Sequence, residues 1–252
     1  MGAAINKLAF YPPKDTYSHS DVSHWVTTVS GDKIPILHIR HRQPRFCLLF
    51  SHGNAEDLGL NKPFCEWLSA ELMVDVVTYD YVGYGLAAGE PSERCLYECI
   101  DAVYHYLRHD LRLPVDHIVL YGKSLGSGPT VDLSSREAVR GIIIVSGLAS
   151  GSRVLFPNQR NRLMDKAFCD NIGKITKVTC PVFIIHGLDD EVIHPSNSES
   201  LYQACKHVHP VPPVWIRGAH HNDIESRFHT TFLRGIRMFL DHLAELRALK
   251  GT

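Results

Sequence analysis

Six short apolar runs punctuate the chain, at 46–50 (FCLLF), 74–79 (VDVVTY), 118–121 (IVLY), 142–145 (IIIV), 182–185 (VFII) and 214–216 (VWI). Runs this short and this rich in Val and Ile suit strands buried on both faces of a parallel sheet rather than helices. Two further β-like segments, 23–29 and 34–40, precede them and meet at Gly31-Asp32, which reads as a hairpin. Helical patterns lie between the runs. Over 92–109, Ser92 is a candidate N-cap and Leu96, Ile100, Val103 and Leu107 share one face. Over 223–247, Asp223 is a candidate cap and Phe228, Phe232, Phe239, Leu243 and Leu246 form a second stripe. A hairpin feeding such a series predicts an α/β fold: one doubly wound, mostly parallel eight-stranded sheet with helices on both faces. A chain of 252 residues fits that architecture as a single domain, 1–252, after an irregular segment at 1–21. Residues 147–179 break the rhythm, being longer than an ordinary connection. They read either as a crossover helix with irregular flanks or as a small lid.

Ligands in such sheets bind outside the carboxyl ends of the strands, so the loops after the apolar runs are where chemistry is expected. One of them reads Gly122-Lys123-Ser124-Leu125-Gly126. Its Gly-Lys-Ser could close a phosphate-binding loop, but that motif needs a glycine five residues before Gly122, and His117 stands there. Residues 118–121, which would have to wrap the phosphate, are strand interior. The same pentapeptide is G-x-S-x-G, a serine on a strand-to-helix turn flanked by residues with no side chain to collide with neighbouring strands. Alone, so short a pattern arises easily by chance.

A serine nucleophile needs a base, and the base needs an orienting acid; after this turn they follow in the order acid, then His. The strand at 182–185 is followed by His186-Gly187-Leu188-Asp189-Asp190-Glu191, and the strand at 214–216 by Gly218-Ala219-His220-His221-Asn222-Asp223. An acid cluster and a histidine pair thus occupy the same sheet edge as Ser124, in the required order. Position alone does not choose among Asp189, Asp190 and Glu191, or between His220 and His221. An oxyanion hole is also needed, from the N–H after the nucleophile, Leu125, and one from the loop Ser51-His52-Gly53-Asn54-Ala55. Asn54 is assigned that second donor, through its backbone.

The stretches KLAFYPP, SHGNAEDLG, YDYVGYG, GEPSERCLYECIDA, VLYGKSLGSGPTVDLSSR, PVFIIHGLDDEVI and GAHHNDIE span almost the whole chain. Together they resemble the α/β-hydrolases, and within them the domain-17 group of protein depalmitoylases; related sequences also include hydrolases labelled serine peptidases. The resemblance implies a serine hydrolase that cleaves acyl esters or thioesters, with Asp190 as the acid and His221 as the base. It implies no metal and no organic cofactor. His220 departs from the pattern, standing where a glycine is usual. The group also carries an N-terminal cysteine cluster that is acylated and targets membranes; here the first cysteine is Cys47, inside a predicted strand, so recruitment by that route is not expected. Leu155, Phe156 and Leu163, in the 147–179 segment, are candidate acyl-chain contacts. A peptidase of the oligopeptidase type is the second reading. It is disfavoured because about 20 residues precede the first strand, leaving no room for the large selectivity domain such enzymes use. A non-catalytic binding protein on the same fold is the third, disfavoured by the complete Ser, Asp and His set.

Composition bounds the partners. Twenty-six basic and 27 acidic residues give a net charge of −1, with no basic excess to suggest nucleic acid. No apolar run is long enough to span a membrane, and the N-terminus lacks the apolar core of a secretion signal. The expected substrate is an acyl ester or thioester, including an acylated protein, with peripheral membrane contact left open. The Met1-Gly2 start fits the opening of an N-myristoylation signal, but Asn6 stands where Ser or Thr is usual. Seven widely spaced cysteines without a CxxC pair read as reduced thiols in a cytoplasmic protein.

Overall fold

In the computed structural model, which describes residues 9–206 and 212–248, eight strands form one sheet in the order β1-β2-β4-β3-β5-β6-β7-β8. They are β1 (His24–Thr27), β2 (Lys33–Ile39), β3 (Cys47–Ser51), β4 (Asp75–Tyr79), β5 (Ile118–Lys123), β6 (Gly141–Val145), β7 (Val182–Gly187) and β8 (Val214–Ile216). The β1–β2 and β2–β4 pairings are antiparallel and the rest are parallel. All eight runs read from the sequence are strands, within a residue or two of their expected limits. The Met1-Gly2 start and Asn6 lie outside the described residues.

The alternation along each central strand explains why the runs are apolar throughout. In β6, Ile142 and Ile144 face one buried cluster and Ile143 and Val145 the other; in β7, Val182 and Ile184 oppose Phe183 and Ile185. One face is covered by α2 (Glu93–His105) through Leu96, Cys99, Ile100 and Val103. The other is covered by α1 (Leu58–Leu72) and α9 (His229–Ala248), through Cys65, Leu68 and Leu72 and through Phe232, Ile236, Phe239 and Leu243. Ser92 caps α2, its side chain accepting the N–H of Cys95. The helix does not run to residue 109 as α; its last turn, Tyr106–Asp110, widens to a π-helix that still buries Leu107. The second predicted helix is also divided: α8 (Ile224–Arg227) stops at Phe228, and α9 begins at His229. A short α3 (Ser127–Ser134) follows the turn at Ser124, and α7 (Ser196–Ala204) follows the acid loop.

Between β6 and β7 the chain forms no single crossover helix. It makes three short ones, α4 (Gly151–Leu155), α5 (Arg162–Asp165) and α6 (Asn171–Lys174). The buried Asp165 carboxylate ties the first two together. It accepts Arg153 Nε at 2.9 Å and Nη2 at 3.0 Å, Arg162 Nη1 at 2.8 Å, and the Ser150 hydroxyl and Gln159 amide each at 2.7 Å. Burial alone would raise this carboxyl, but the hydrogen bonds from Arg153, Ser150, Arg162 and Gln159 outweigh it and hold it well below the usual range.

Candidate active site

Ser124 opens the strand-to-helix turn with φ of +52°, a left-handed conformation that a residue with a Cβ rarely takes. The turn is packed too closely for larger neighbours. A Cβ on Gly122 would meet the Gly126 carbonyl oxygen at 2.6 Å, and one on Gly126 would overlap the Ser51 carbonyl oxygen. Gly122 lets the Ser124 turn close on itself, and Gly126 lets it nest against β3. The Ser127 hydroxyl braces it further, donating to the Ser124 carbonyl at 2.7 Å while accepting the Leu148 N–H at 3.1 Å.

His221 Nε2 lies 3.0 Å from Ser124 Oγ, and His221 Nδ1 lies 2.7 Å from Asp190 Oδ2. All three side chains are buried, although they come from loops after β5, β8 and β7. With Nδ1 donating to the carboxylate, Nε2 is the nitrogen left to accept the serine proton. Asp190 is fixed in turn: its Oδ1 accepts the N–H groups of Val192 at 2.9 Å and Ile193 at 2.8 Å. His186 backs it from β7, with Nε2 3.2 Å from Asp190 Oδ2 and 2.8 Å from the Ile193 carbonyl. The Ser198 hydroxyl, 2.6 Å from His186 Nδ1, completes that imidazole's partners. Burial would raise the Asp190 carboxyl, but hydrogen bonds from His186 and His221 and the Ile193 N–H hold it far below the ordinary carboxylate range. It therefore faces His221 as an anion.

The rival residues separate by burial. Asp189 and Glu191 are exposed, while Asp190 turns inward. His220 is exposed and points away from Ser124, its Nδ1 3.0 Å from Glu191 Oε2. The ring that replaces the usual glycine thus sits on the outer side of the loop.

The side chain of Asn54 is committed elsewhere. Its Oδ1 accepts from the Tyr11 N–H at 3.0 Å and the Tyr84 hydroxyl at 2.6 Å, and its Nδ2 donates to the Ala9 carbonyl at 2.8 Å. The side chain is thereby held against Ala9, Tyr11 and Tyr84 rather than against Ser124. Leu125 follows Ser124 directly and is buried. His52 is enclosed behind this loop, Nδ1 donating to the Gly53 carbonyl at 2.7 Å, and is not one of the groups brought to Ser124. Leu155 and Phe156, at the end of α4, are 71% and 57% exposed and lie outside both buried clusters. Leu163 is exposed as well.

Two features were not anticipated. In the sequence His186 is only the residue that opens the acid stretch; in the fold it backs Asp190, and its place in the strand leading to that loop is the one available signal. Lys123, the variable position of the G-x-S-x-G pentapeptide, is largely buried, 3.2 Å from Glu56 Oε1 and 3.4 Å from Glu225 Oε1. Among the described residues no group of three or more His, Cys, Asp and Glu side chains could hold a metal ion, and no helix is long and apolar enough to cross a membrane.

The chain is similar to known hydrolases. A family model described as Serine hydrolase (FSH1) matches residues 118–222, a span from the start of β5 past His221. Alpha/beta hydrolase domain-containing protein 17B of Xenopus tropicalis is 36% identical over 95% of this chain and 91% of that protein. Alpha/beta hydrolase domain-containing protein 17C of Xenopus laevis is 44% identical over 79% of this chain and 62% of that protein. Among solved structures, the Pyrococcus furiosus esterase Pf2001 superposes with a TM-score of 0.73 over 92% of this chain and 97% of that one, at 18% identity, and so shares the fold.

Proposed function

Because the chain belongs to the alpha/beta hydrolase domain-containing protein 17 family and is a serine hydrolase, we propose that Ser124, His221 and Asp190 are its catalytic triad and that its substrates are acyl thioesters or esters. The observation that carries this reading is the continuous hydrogen-bonded line from Ser124 Oγ through His221 to Asp190. Ser124 Oγ attacks the acyl carbonyl while His221 Nε2 takes its proton. The Asp190 carboxylate holds the ring and balances the imidazolium that forms. The oxyanion sits on the backbone N–H groups of Asn54 and Leu125. Collapse expels the thiol or alcohol, protonated by His221, and leaves an acyl group on Ser124. Water, deprotonated by His221, then releases the acid. The step sequence uses no metal or organic cofactor.

The finer substrate in this reading is a fatty-acylated protein, cleaved at its cysteine thioester. The sequence resemblance to protein depalmitoylases supports it, as do the exposed apolar residues Leu155, Phe156 and Leu163 in the 147–179 segment, the proposed contacts for an acyl chain. The free state of all seven cysteines accords with a cytoplasmic protein, with membrane contact peripheral. The single sheet accords with one domain over the chain.

A fluorophosphonate probe tests the reading directly. It should label the wild type and leave Ser124→Ala and His221→Ala unlabelled. A wild type that does not react would remove the hydrolase mechanism, and labelling retained in Ser124→Ala would remove Ser124 as nucleophile. A palmitoyl-cysteine thioester compared with p-nitrophenyl esters and peptide amides then ranks the substrates. Cleavage of amides alone would favour the peptidase reading.

A further inference from the structure

Lys123 is the last residue of β5, directly before Ser124, and its ammonium pairs with two carboxylates, one from a loop and one from a helix. Glu56 belongs to the loop after β3, and its other oxygen, Oε2, accepts the N–H of Gly53 at 2.9 Å. Gly53 is the residue before Asn54. Glu225 lies in α8, which follows the His221 loop. The Lys123 side chain is 14% exposed, and both partners are similarly enclosed. A single cation thus joins the strand ends that carry the nucleophile, the base and one oxyanion donor.

Stability alone accounts poorly for such an arrangement. Two carboxylates share one ammonium away from bulk water, where apolar side chains of similar size commonly do as well or better. What the cluster does supply is geometry. Glu56 holds the peptide leading into Asn54 while Lys123 holds Glu56 against the nucleophile turn. We propose that Lys123, Glu56 and Glu225 form a positioning network that sets the Asn54 N–H and the His221 loop relative to Ser124. The inference rests on the triad and oxyanion reading given above and deepens it. None of the three takes a step in the reaction; they act through Asn54 and His221.

The charges make the network testable by pH. Burial would raise the Glu56 carboxyl, but Lys123, His52 and the Gly53 N–H hold it below its usual range. Removing the ammonium leaves Glu56 and Glu225 opposed. Near neutral pH they repel and displace the Gly53–Asn54 peptide; at lower pH one takes up a proton and the strain is relieved. The other groups facing the pair are His52, the Cys65 thiol and the Tyr81 and Tyr121 phenols. Burial holds the thiol and both phenols neutral, their values pushed up. His52 is coupled to Glu56 but is kept in every variant, so the difference between Lys123→Met and Lys123→Met/Glu225→Gln reports the carboxylate pair.

The experiment begins with fluorophosphonate labelling of the wild type and of Ser124→Ala. It then compares Lys123→Met, Glu56→Gln and Lys123→Met/Glu225→Gln with the wild type on a short p-nitrophenyl ester across the neutral range. Inhibition by an alkyl trifluoromethyl ketone, which adds to Ser124 as a tetrahedral mimic, is measured alongside. Lys123→Met is expected to lose roughly 10- to 100-fold in kcat, with KM changed by less than about threefold, the size of effect a displaced oxyanion donor produces. Ketone affinity falls in proportion, and the variant-to-wild-type rate ratio rises as pH falls. Adding Glu225→Gln recovers most of the rate and flattens that ratio. A pH-independent ratio, or a kcat loss without loss of ketone affinity, would overturn the network. Should Lys123→Met not fold, Glu56→Gln decides: kcat and ketone affinity fall together, and if both stay at wild-type values the inference fails. An unlabelled wild type removes the hydrolase reading and this inference together, whereas a labelled wild type with unaffected variants removes the inference alone.

Discussion

At the scale of single residues, the site depends on what each side chain is denied as much as on what it touches. Asp190 has both oxygens engaged, by Val192 and Ile193 on one and by His221 and His186 on the other, so the carboxylate cannot turn away from His221 without losing several partners. Asp190→Asn keeps the size but presents an amide to His221 and favours the wrong tautomer. It should lower kcat by roughly 10³- to 10⁴-fold, read by burst and steady-state ester kinetics, with KM little changed. Gly126→Ala tests the turn, since its new methyl would overlap the Ser51 carbonyl. The variant should unfold at lower temperature, by about 2 kcal/mol or more in chemical denaturation, as expected when a core position is overpacked against backbone. The candidate acids show where sequence reasoning stops at this scale. Asp189, Asp190 and Glu191 share one loop and one edge of the sheet. Only the inward turn of the middle residue separates them, and that turn is set by Leu188 and Asp189 N–H bonds to the Ile216 and Ala219 carbonyls of the next strand and its loop.

At the scale of elements, legibility follows burial. Strands covered on both faces leave continuous apolar runs, so β3 to β8 could be read directly. The helices were harder. α1 contains Pro63, and its apolar contacts, Leu58, Cys65, Leu68 and Leu72, are spread over a stretch that Gly59 and Pro63 interrupt. Its start is marked by Asp57, which accepts the Leu60 N–H. Lys123 was illegible for a different reason: Glu56 and Glu225 lie far on either side of it in sequence, and only the sheet brings them together. The 151–165 segment makes its own prediction. Asp165→Ala leaves Arg153 buried without its bidentate partner, which should cost about 3 kcal/mol locally. Limited proteolysis should then cut faster within 156–163, while fluorophosphonate still labels Ser124. If the segment contacts the acyl chain, hydrolysis of long esters should fall more than that of short ones.

At the scale of the whole molecule, stability should depend on pH from both sides. Asp190, Asp165 and Glu56 have folded values below their ordinary ones. Their contribution is present in full above the unfolded carboxyl values of about 4 and is lost as pH falls below them. His52 behaves oppositely. Burial opposes its charge, but Asp80 at 3.4 Å overcomes this and raises its value, so its contribution is complete below the unfolded value of about 6.5 and is lost as pH rises through the folded one. Thermal melts across pH should show a steep acid limb and a shallower alkaline decline. Asp165→Asn should soften the first, and His52→Gln should remove pH dependence from the second.

The anchoring of Asn54 has a mechanical consequence. Ala9 and Tyr11 grip the side chain of the residue whose N–H is proposed to meet the oxyanion. Tension on residues 9–11, from a tether or a surface that pulls this segment away, would be delivered to that loop against the Tyr84 hydroxyl that holds the same Asn54 oxygen. Such a load would act as a throttle on turnover, felt at Asn54 and released when the pull is removed.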